Sequence, residues 1–65
     1  MNEYLDFMFI DDETDEFFFV EVCNNFSYEE CLAEAKKIAK ENFEAPHLVD
    51  VFSPEEADFL GYDTY

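Results

Sequence analysis

Two early segments of the chain show the alternating hydrophobic pattern of β-strands. Residues 4–10 (YLDFMFI) and 17–23 (FFFVEVC) are rich in aromatic and branched side chains, which favours strands. The short polar stretch between them, residues 11–16 (DDETDE), predicts that they form a β-hairpin. Alternation gives the pair two apolar faces. The first face holds Leu5, Phe7, Phe9, Phe18, Val20 and Val22, and the second holds Met8, Ile10, Phe17 and Phe19.

The pattern then changes to the spacing of one helical face. Ser27 is placed to cap a helix, and Glu30 completes a capping box with it. Acidic residues fall in the first turn and the three lysines further along, which suits the helix dipole. We therefore predict a helix from Tyr28 to about Asn42, stopped by Pro46. Its apolar face comprises Tyr28, Cys31, Leu32, Ala35, Ile38, Ala39 and Phe43.

A third strand is predicted over residues 47–52 (HLVDVF), with Val49 and Val51 on one face. The element order is then ββαβ, and the crossover through the helix should be right-handed. Placing the third strand beside the first makes both strand pairs antiparallel, in the order 2-1-3. The predicted fold class is α+β, with residues 1–65 forming a single domain whose long helix covers one face of the sheet.

A short helix is predicted after the third strand. Ser53 is a second candidate N-cap, and Pro54 suits the first helical position. The helix should run over Pro54–Leu60 and end at Gly61, the only glycine in the chain. Residues 62–65 are left as a tail.

The second face of the sheet raises the question of what covers it. One long helix covers only one face, and the short helix, through Phe59 and Leu60, is expected to fold over part of the other. One alternative is that the C-terminal segment covers the rest. The other is that an aromatic patch stays open and forms a homodimer or a partner contact.

The chain is strongly acidic. The chain has 65 residues with 3 Lys and Arg against 18 Asp and Glu, a net charge of −15. Its 49% hydrophobic and 20% aromatic content indicates that it folds despite self-repulsion. The charge argues against direct nucleic-acid binding through phosphates and against contact with anionic membranes.

Cysteine content and targeting signals favour a cytoplasmic protein. Cys23 and Cys31 are expected to be buried thiols in a reducing cytosol, since disulfide-stabilised scaffolds carry more cysteines. The first residues lack the basic region of a signal peptide, and the apolar runs are too short for a membrane span.

Catalysis and metal binding are both weakly indicated. His47 is the only histidine and no glycine-rich phosphate loop is present, so neither an enzyme nor a cofactor is expected. Asp11, Glu13 and Asp15 match the first oxygen positions of a calcium loop. The match then fails, because Glu16 stands where that loop requires glycine. No metal site is predicted.

The acidic residues themselves are the strongest functional signal. The hairpin connection holds five carboxylates in six residues, and every lysine lies on the long helix. Solubility needs a charge of only about 2–8 in a small domain. Carboxylates a few ångströms apart offer a basic groove a field like that of nucleic-acid phosphates. The acidic surface of a halophilic protein is the alternative explanation.

The acidic hairpin and the ending PEEADFLGYDTY of residues 54–65 carry a resemblance to small phage-encoded proteins. In size, charge and layout the chain resembles anti-CRISPR proteins and other nucleic-acid mimics, and small phage and prophage proteins of Gram-positive hosts. The resemblance implies an inhibitor in the cytoplasm of an infected bacterium. It would block a basic nucleic-acid-binding groove, such as that of Cas9 or another nuclease.

The sequence thus predicts a non-enzymatic inhibitor whose carboxylates replace phosphates in salt bridges, with two tyrosines as aromatic anchors. The alternative is a homodimeric or adaptor module that acts through an open aromatic sheet face. The predicted partner-binding residues are Asp11, Asp12, Glu13, Asp15, Glu16, Glu55, Glu56, Asp58, Tyr62 and Tyr65.

Overall fold

A computed structural model describes residues 3–65. Within these residues the elements are β1 (Tyr4–Asp11), β2 (Glu16–Cys23), α1 (Tyr28–Asn42), β3 (Pro46–Phe52) and α2 (Pro54–Leu60). The three strands form one antiparallel sheet in the order β2-β1-β3, which confirms the predicted α+β fold. Each strand extends one residue further at the hairpin end than predicted, because Asp11 pairs with both Glu16 and Pro46.

The first face of the sheet and α1 form the main core, as predicted. Phe7 lies opposite Val20 across the hairpin, and Phe9 lies opposite Phe18. The helix contacts this face through the fully buried Cys31, Ala35 and Ala39. These side chains are small, so the helix sits close to the large strand residues. The Phe18 ring is stacked between those of Phe9 and Phe43, with centroids 5.6 and 3.9 Å away.

Both helices begin and end at the residues that the sequence predicts. The Ser27 hydroxyl accepts a hydrogen bond from the Glu30 N–H at 3.3 Å, and the Ser53 hydroxyl accepts one from the Glu56 N–H at 3.4 Å. Gly61 ends α2 with φ of 76°, a left-handed conformation that is strained for residues with a Cβ atom.

The predicted face of β3 is wrong at Val49. A β-bulge shifts the register, so that Met8 pairs with Asp50 while Phe9 pairs with Leu48. The bulge leaves one extra residue on β3 and interrupts the alternation of its side chains. Leu48 and Val51 therefore pack against the core, and Val49 is 49% exposed.

The short helix α2 covers part of the second face, but not through Phe59 and Leu60, the side chains that the sequence suggested. Ala57 packs against Met8, Phe19 and Phe52 in a small second core. Phe59 follows Ala57 by two residues, about 200° around a helix, and therefore points away from the sheet. It is 91% exposed. Phe19 is fully buried, whereas Phe17 on the same face is 37% exposed, so only the hairpin end of the aromatic face that the adaptor alternative requires is open.

Residues 62–65 are part of the sheet rather than a loose tail. Thr64 forms a parallel bridge with Phe19 at the outer edge of β2. The Phe19 N–H donates to the Asp63 carbonyl at 2.7 Å, the Tyr65 N–H to the Phe19 carbonyl at 2.8 Å, and the Glu21 N–H to the Tyr65 carbonyl at 2.9 Å. This segment therefore satisfies backbone groups that an edge strand would otherwise leave open.

The two cysteines are free thiols; Cys31 is buried, as expected, whereas Cys23 is only half-buried. The Cys31 thiol donates to the Cys23 carbonyl oxygen at 3.5 Å. None of the helices formed by residues 3–65 is long and apolar enough to cross a bilayer.

Candidate acidic binding surface

Asp11 is buried, and it is therefore the one hairpin carboxylate that does not belong to the candidate surface. It is 3% exposed. Its Oδ1 accepts hydrogen bonds from the N–H groups of Ala45 at 3.1 Å and Glu13 at 3.4 Å, and its Oδ2 accepts one from the Thr14 hydroxyl at 3.2 Å. The side chain thus joins the hairpin turn to the segment between α1 and β3. Its role is to hold the turn in place.

Replacing Asp11 with alanine should lower the free energy of unfolding by about 2 kcal/mol, since it leaves partly buried donors unpaired. Asp12→Ala is the matched control. Its carboxylate is exposed and lies 3.7 Å from His47 Nδ1, so the change should cost less than about 0.5 kcal/mol. Urea denaturation measures both values. Equal losses in the two variants would contradict the role assigned to Asp11.

The other hairpin carboxylates all reach solvent. Asp12, Glu13, Asp15 and Glu16 are exposed on or beside the turn. Asp15 has φ of 59°, the left-handed conformation that aspartate and asparagine tolerate better than most residues. The turn thereby presents four carboxylates at one end of the sheet.

A fifth carboxylate, Asp63, also lies at this end of the sheet, and no local sequence pattern predicts it. The pairing of residues 62–65 with β2 brings Asp63 beside Asp15 and Glu16, around a shallow depression of about 450 Å³ that Phe17 and Tyr62 also line. We refer to Asp12, Glu13, Asp15, Glu16 and Asp63 as the hairpin ridge. Asp63 belongs to the hairpin ridge only because residues 62–65 pair with the distant strand β2.

The predicted α2 carboxylates lie elsewhere. The helix begins just after Phe52, which pairs with Asp6 on β1. Asp6 and Asp11 are five residues apart, so about 16 Å of strand separates the start of α2 from the hairpin turn. Glu55 and Glu56 are therefore exposed at the opposite end of the sheet and do not extend the hairpin ridge.

Asp58 belongs to a third group, on the second face of the sheet. Asp6 lies directly opposite Glu21 in the hairpin register, and it is only 2% exposed. Its Oδ1 is buried with no hydrogen-bond partner. Burial, followed by the charge and hydrogen bonding of Glu21 and the charge of Asp58, raises the pKa of Asp6 from 3.8 to about 6. We call Asp6, Glu21 and Asp58 the carboxyl cluster.

The carboxyl cluster could have been suspected from the alternation of the strands, which puts Asp6 and Glu21 on the same face. Its burial could not, because that depends on where α2 lies. Across residues 3–65, no group of three or more His, Cys, Asp or Glu side chains is arranged to hold a metal ion.

The lysines lie on a different layer from these acidic groups. Lys36, Lys37 and Lys40 are exposed on α1, which covers the first face of the sheet. Lys36 and Lys40 line a pocket of about 340 Å³ with His47. The second face, α2 and residues 62–65 contain no lysine or arginine. The lysines thus lie over the first face of the sheet, and the pocket of Lys36 and Lys40 reaches the hairpin end through His47, which contacts Asp12.

The two predicted aromatic anchors take part in the protein's own packing. The Tyr62 ring lies 5.5 Å from that of Phe17, and the Tyr65 ring lies 5.7 Å from Phe18 and 5.4 Å from Phe43. Each tyrosine remains a little under half exposed. They border the acidic surface, but a partner would reach only one side of each ring.

Comparison of the chain with protein-family models, with curated proteins and with solved structures gives no match.

Proposed function

We propose that this protein is a non-enzymatic inhibitor that occupies a Lys- and Arg-rich groove in place of a polynucleotide. The observation that carries the proposal is the concentration of exposed carboxylates at the hairpin end of the sheet, on the hairpin ridge. The three lysines lie on α1 beside four glutamates, so α1 is close to neutral, and the ridge contains no lysine or arginine. A field with this asymmetry orients the molecule as it approaches a cationic partner.

The geometry of the hairpin ridge suits the replacement of phosphates. Neighbouring residues of an extended chain are about 3.3 Å apart, so carboxylates on a turn and an adjoining edge segment lie within reach of a single Arg and Lys cluster. Asp11 and the pairing of residues 62–65 hold that turn and segment. Charged groups held in place lose less conformational entropy on binding.

The resemblance to phage-encoded inhibitors gives the proposal a target class. An RNA-guided nuclease such as Cas9 holds its nucleic acid in a positively charged channel. On this proposal the protein acts in the cytoplasm of an infected bacterium and blocks the site of DNA or guide RNA.

A DNA-cleavage assay with Cas9 and a matched pair of variants tests the proposal. The ridge variant carries Asp12→Asn, Glu13→Gln, Asp15→Asn and Glu16→Gln; the control carries Glu29→Gln, Glu30→Gln, Glu34→Gln and Glu41→Gln, all on α1. Both lose four negative charges, all from exposed positions. Because the ridge makes the salt bridges, the ridge variant should inhibit about 30-fold less well, and the control should stay within about threefold of the native protein.

The salt dependence of binding distinguishes specific salt bridges of the hairpin ridge from an effect of net charge alone. Raising the salt from about 0.1 to about 0.5 M should weaken binding of the native protein far more than that of the ridge variant. Equal loss of inhibition in the two variants would show that net charge alone acts. Cleavage that the native protein leaves unchanged would reject this nuclease as the target.

A further inference from the structure

The outer side of α2 carries an apolar surface that the fold itself does not use. Phe59 is 91% exposed, and Leu60 beside it is about half exposed. Together with Phe52 they line a shallow depression of about 360 Å³, bordered by Glu55 and Glu56. We call these five residues the α2 patch. A large aromatic side chain held on the outside of a helix is typical of binding hot spots.

Nothing within residues 3–65 fills the α2 patch, and a second copy of the chain fits it poorly. Residues 62–65 are the nearest candidate within the chain, but they are paired with β2. A symmetric dimer would place two copies of the same patch in one interface, with the carboxylates of four glutamates and no lysine or arginine from α2 to offset them. Each copy also carries a charge of −15. Like charges opposed in this way cost free energy on association.

We propose that the α2 patch binds a partner segment in which a large apolar side chain lies one helical turn from a Lys or Arg. Glu55 and Glu56 precede Phe59 by four and three residues, so both carboxylates lie one turn from the ring on the surface of α2. A partner helix with the same spacing places its apolar side chain against Phe59 and its cation against the carboxylates. The complementary charge selects a basic, amphipathic partner over a neutral one.

The α2 patch and the hairpin ridge have no residue in common. The two glutamates of the patch lie at the Asp6 end of β1 and the ridge at the Asp11 end, whereas Leu60 precedes Gly61, which lines the depression beside the ridge. The α2 patch gains affinity mainly from burying apolar surface, which salt does not screen, whereas the ridge acts through charges that salt does screen. The proposal therefore does not depend on what the ridge binds.

The test uses three synthetic helical peptides of equal length. The first alternates Leu and Lys at helical spacing, the second replaces each Leu with Ser, and the third replaces each Lys with Glu. Fluorescence anisotropy measures their binding to the ridge variant in about 0.15 M salt, where the ridge has lost four of its charges while those of Glu55 and Glu56 still act. The Leu–Lys peptide should bind about tenfold more tightly than either of the others.

Variants then locate the contact on the molecule. Phe59→Ala should weaken binding of the Leu–Lys peptide about tenfold, and Glu55→Gln with Glu56→Gln about threefold. Phe26→Ala is the matched control, because that ring is also exposed but lies before α1. It should change the affinity by less than about twofold. Phe59 is exposed, so its replacement should leave the urea midpoint unchanged.

Three results would overturn the proposal. Equal losses in the Phe59 and Phe26 variants would show that the peptide binds any exposed ring. Equal binding of the Leu–Lys and Leu–Glu peptides would remove the role of charge. A dimer of the native protein that Phe59→Ala dissociates, seen by light scattering, would show that the occupant is a second copy.

Discussion

Replacing Asp6 with asparagine should make the protein about 2 kcal/mol more stable at about pH 8 and leave its stability almost unchanged at about pH 4. At the higher pH the native protein must hold an ionised carboxylate that is 2% exposed and faces Glu21 and Asp58. Asparagine has nearly the same shape and no charge. It therefore removes the cost of that buried charge while keeping the packing.

The sign of the pH dependence follows from the direction of the pKa shift. The pKa of Asp6 is 3.8 in an unperturbed chain and about 6 in the fold, so the folded state holds the proton more tightly. The stabilisation is fully present below about pH 4 and is lost as the pH rises through about 6. The two pKa values correspond to about 3 kcal/mol. We expect somewhat less from the substitution, because the buried asparagine amide also needs hydrogen-bond partners.

Urea denaturation at a series of pH values from about 4 to 8 measures this difference. The control is Glu34→Gln, which removes one charge from an exposed position on α1. Its effect should stay below about 0.5 kcal/mol across the series, because exposed charges are screened by solvent. An Asp6→Asn effect that is the same at both ends of the series would contradict the buried-charge explanation.

Elements with local sequence signals were predicted almost residue by residue. Ser27, Ser53 and Gly61 mark helix ends through hydrogen bonds or backbone conformation within a few residues, and all three act in the structure as the sequence predicts. Alternation also predicts correctly which faces of β1 and β2 lie together, because a slip of one residue would turn every apolar side chain to the wrong face. It does not distinguish registers that differ by two residues.

Features set by contacts between distant segments could not be predicted in this way. The bulge at Val49 depends on how β3 lies against β1, and the burial of Asp11 depends on the Ala45 N–H, 34 residues away. The same reason applies to Asp63 in the candidate site, since it joins the hairpin ridge only through edge pairing. Phe59 is different: helical spacing alone puts it opposite Ala57 once Ala57 is known to be the buried position.

The acidic residues therefore fall into groups with different structural roles, which the sequence alone does not distinguish. Asp11 holds the hairpin turn, and Asp6 lies buried in the carboxyl cluster at a cost in stability. The exposed carboxylates of the hairpin ridge have neither role. A charge count treats all of these groups alike, whereas mutation of Asp11 would change folding and, on the proposed function, mutation of the ridge would change only binding.

Deleting residues 62–65 should lower the free energy of unfolding by about 3 kcal/mol. The deletion removes the contacts of the Tyr62 and Tyr65 rings with Phe17, Phe18 and Phe43, together with three backbone hydrogen bonds to β2. The partly buried rings are worth about 1 kcal/mol each and the three edge hydrogen bonds about 0.5 kcal/mol each, and the entropy of ordering the segment offsets part of this sum. Urea denaturation of the full-length and shortened chains gives the difference.

Hydrogen exchange locates the effect of the deletion within the sheet. The Phe19 and Glu21 amides donate to carbonyls of residues 62–65, so their protection should fall by more than the loss of global stability explains. The Val20 amide, which faces β1 in the hairpin ladder, is the internal control and should follow global stability alone. Tyr65→Ala keeps the backbone pairing while removing one ring, and it should cost about 1 kcal/mol without selective loss of protection. Unchanged exchange at Phe19 and Glu21 after the deletion would mean that these residues do not close the β2 edge in solution, and Asp63 would then have no fixed place beside the hairpin turn.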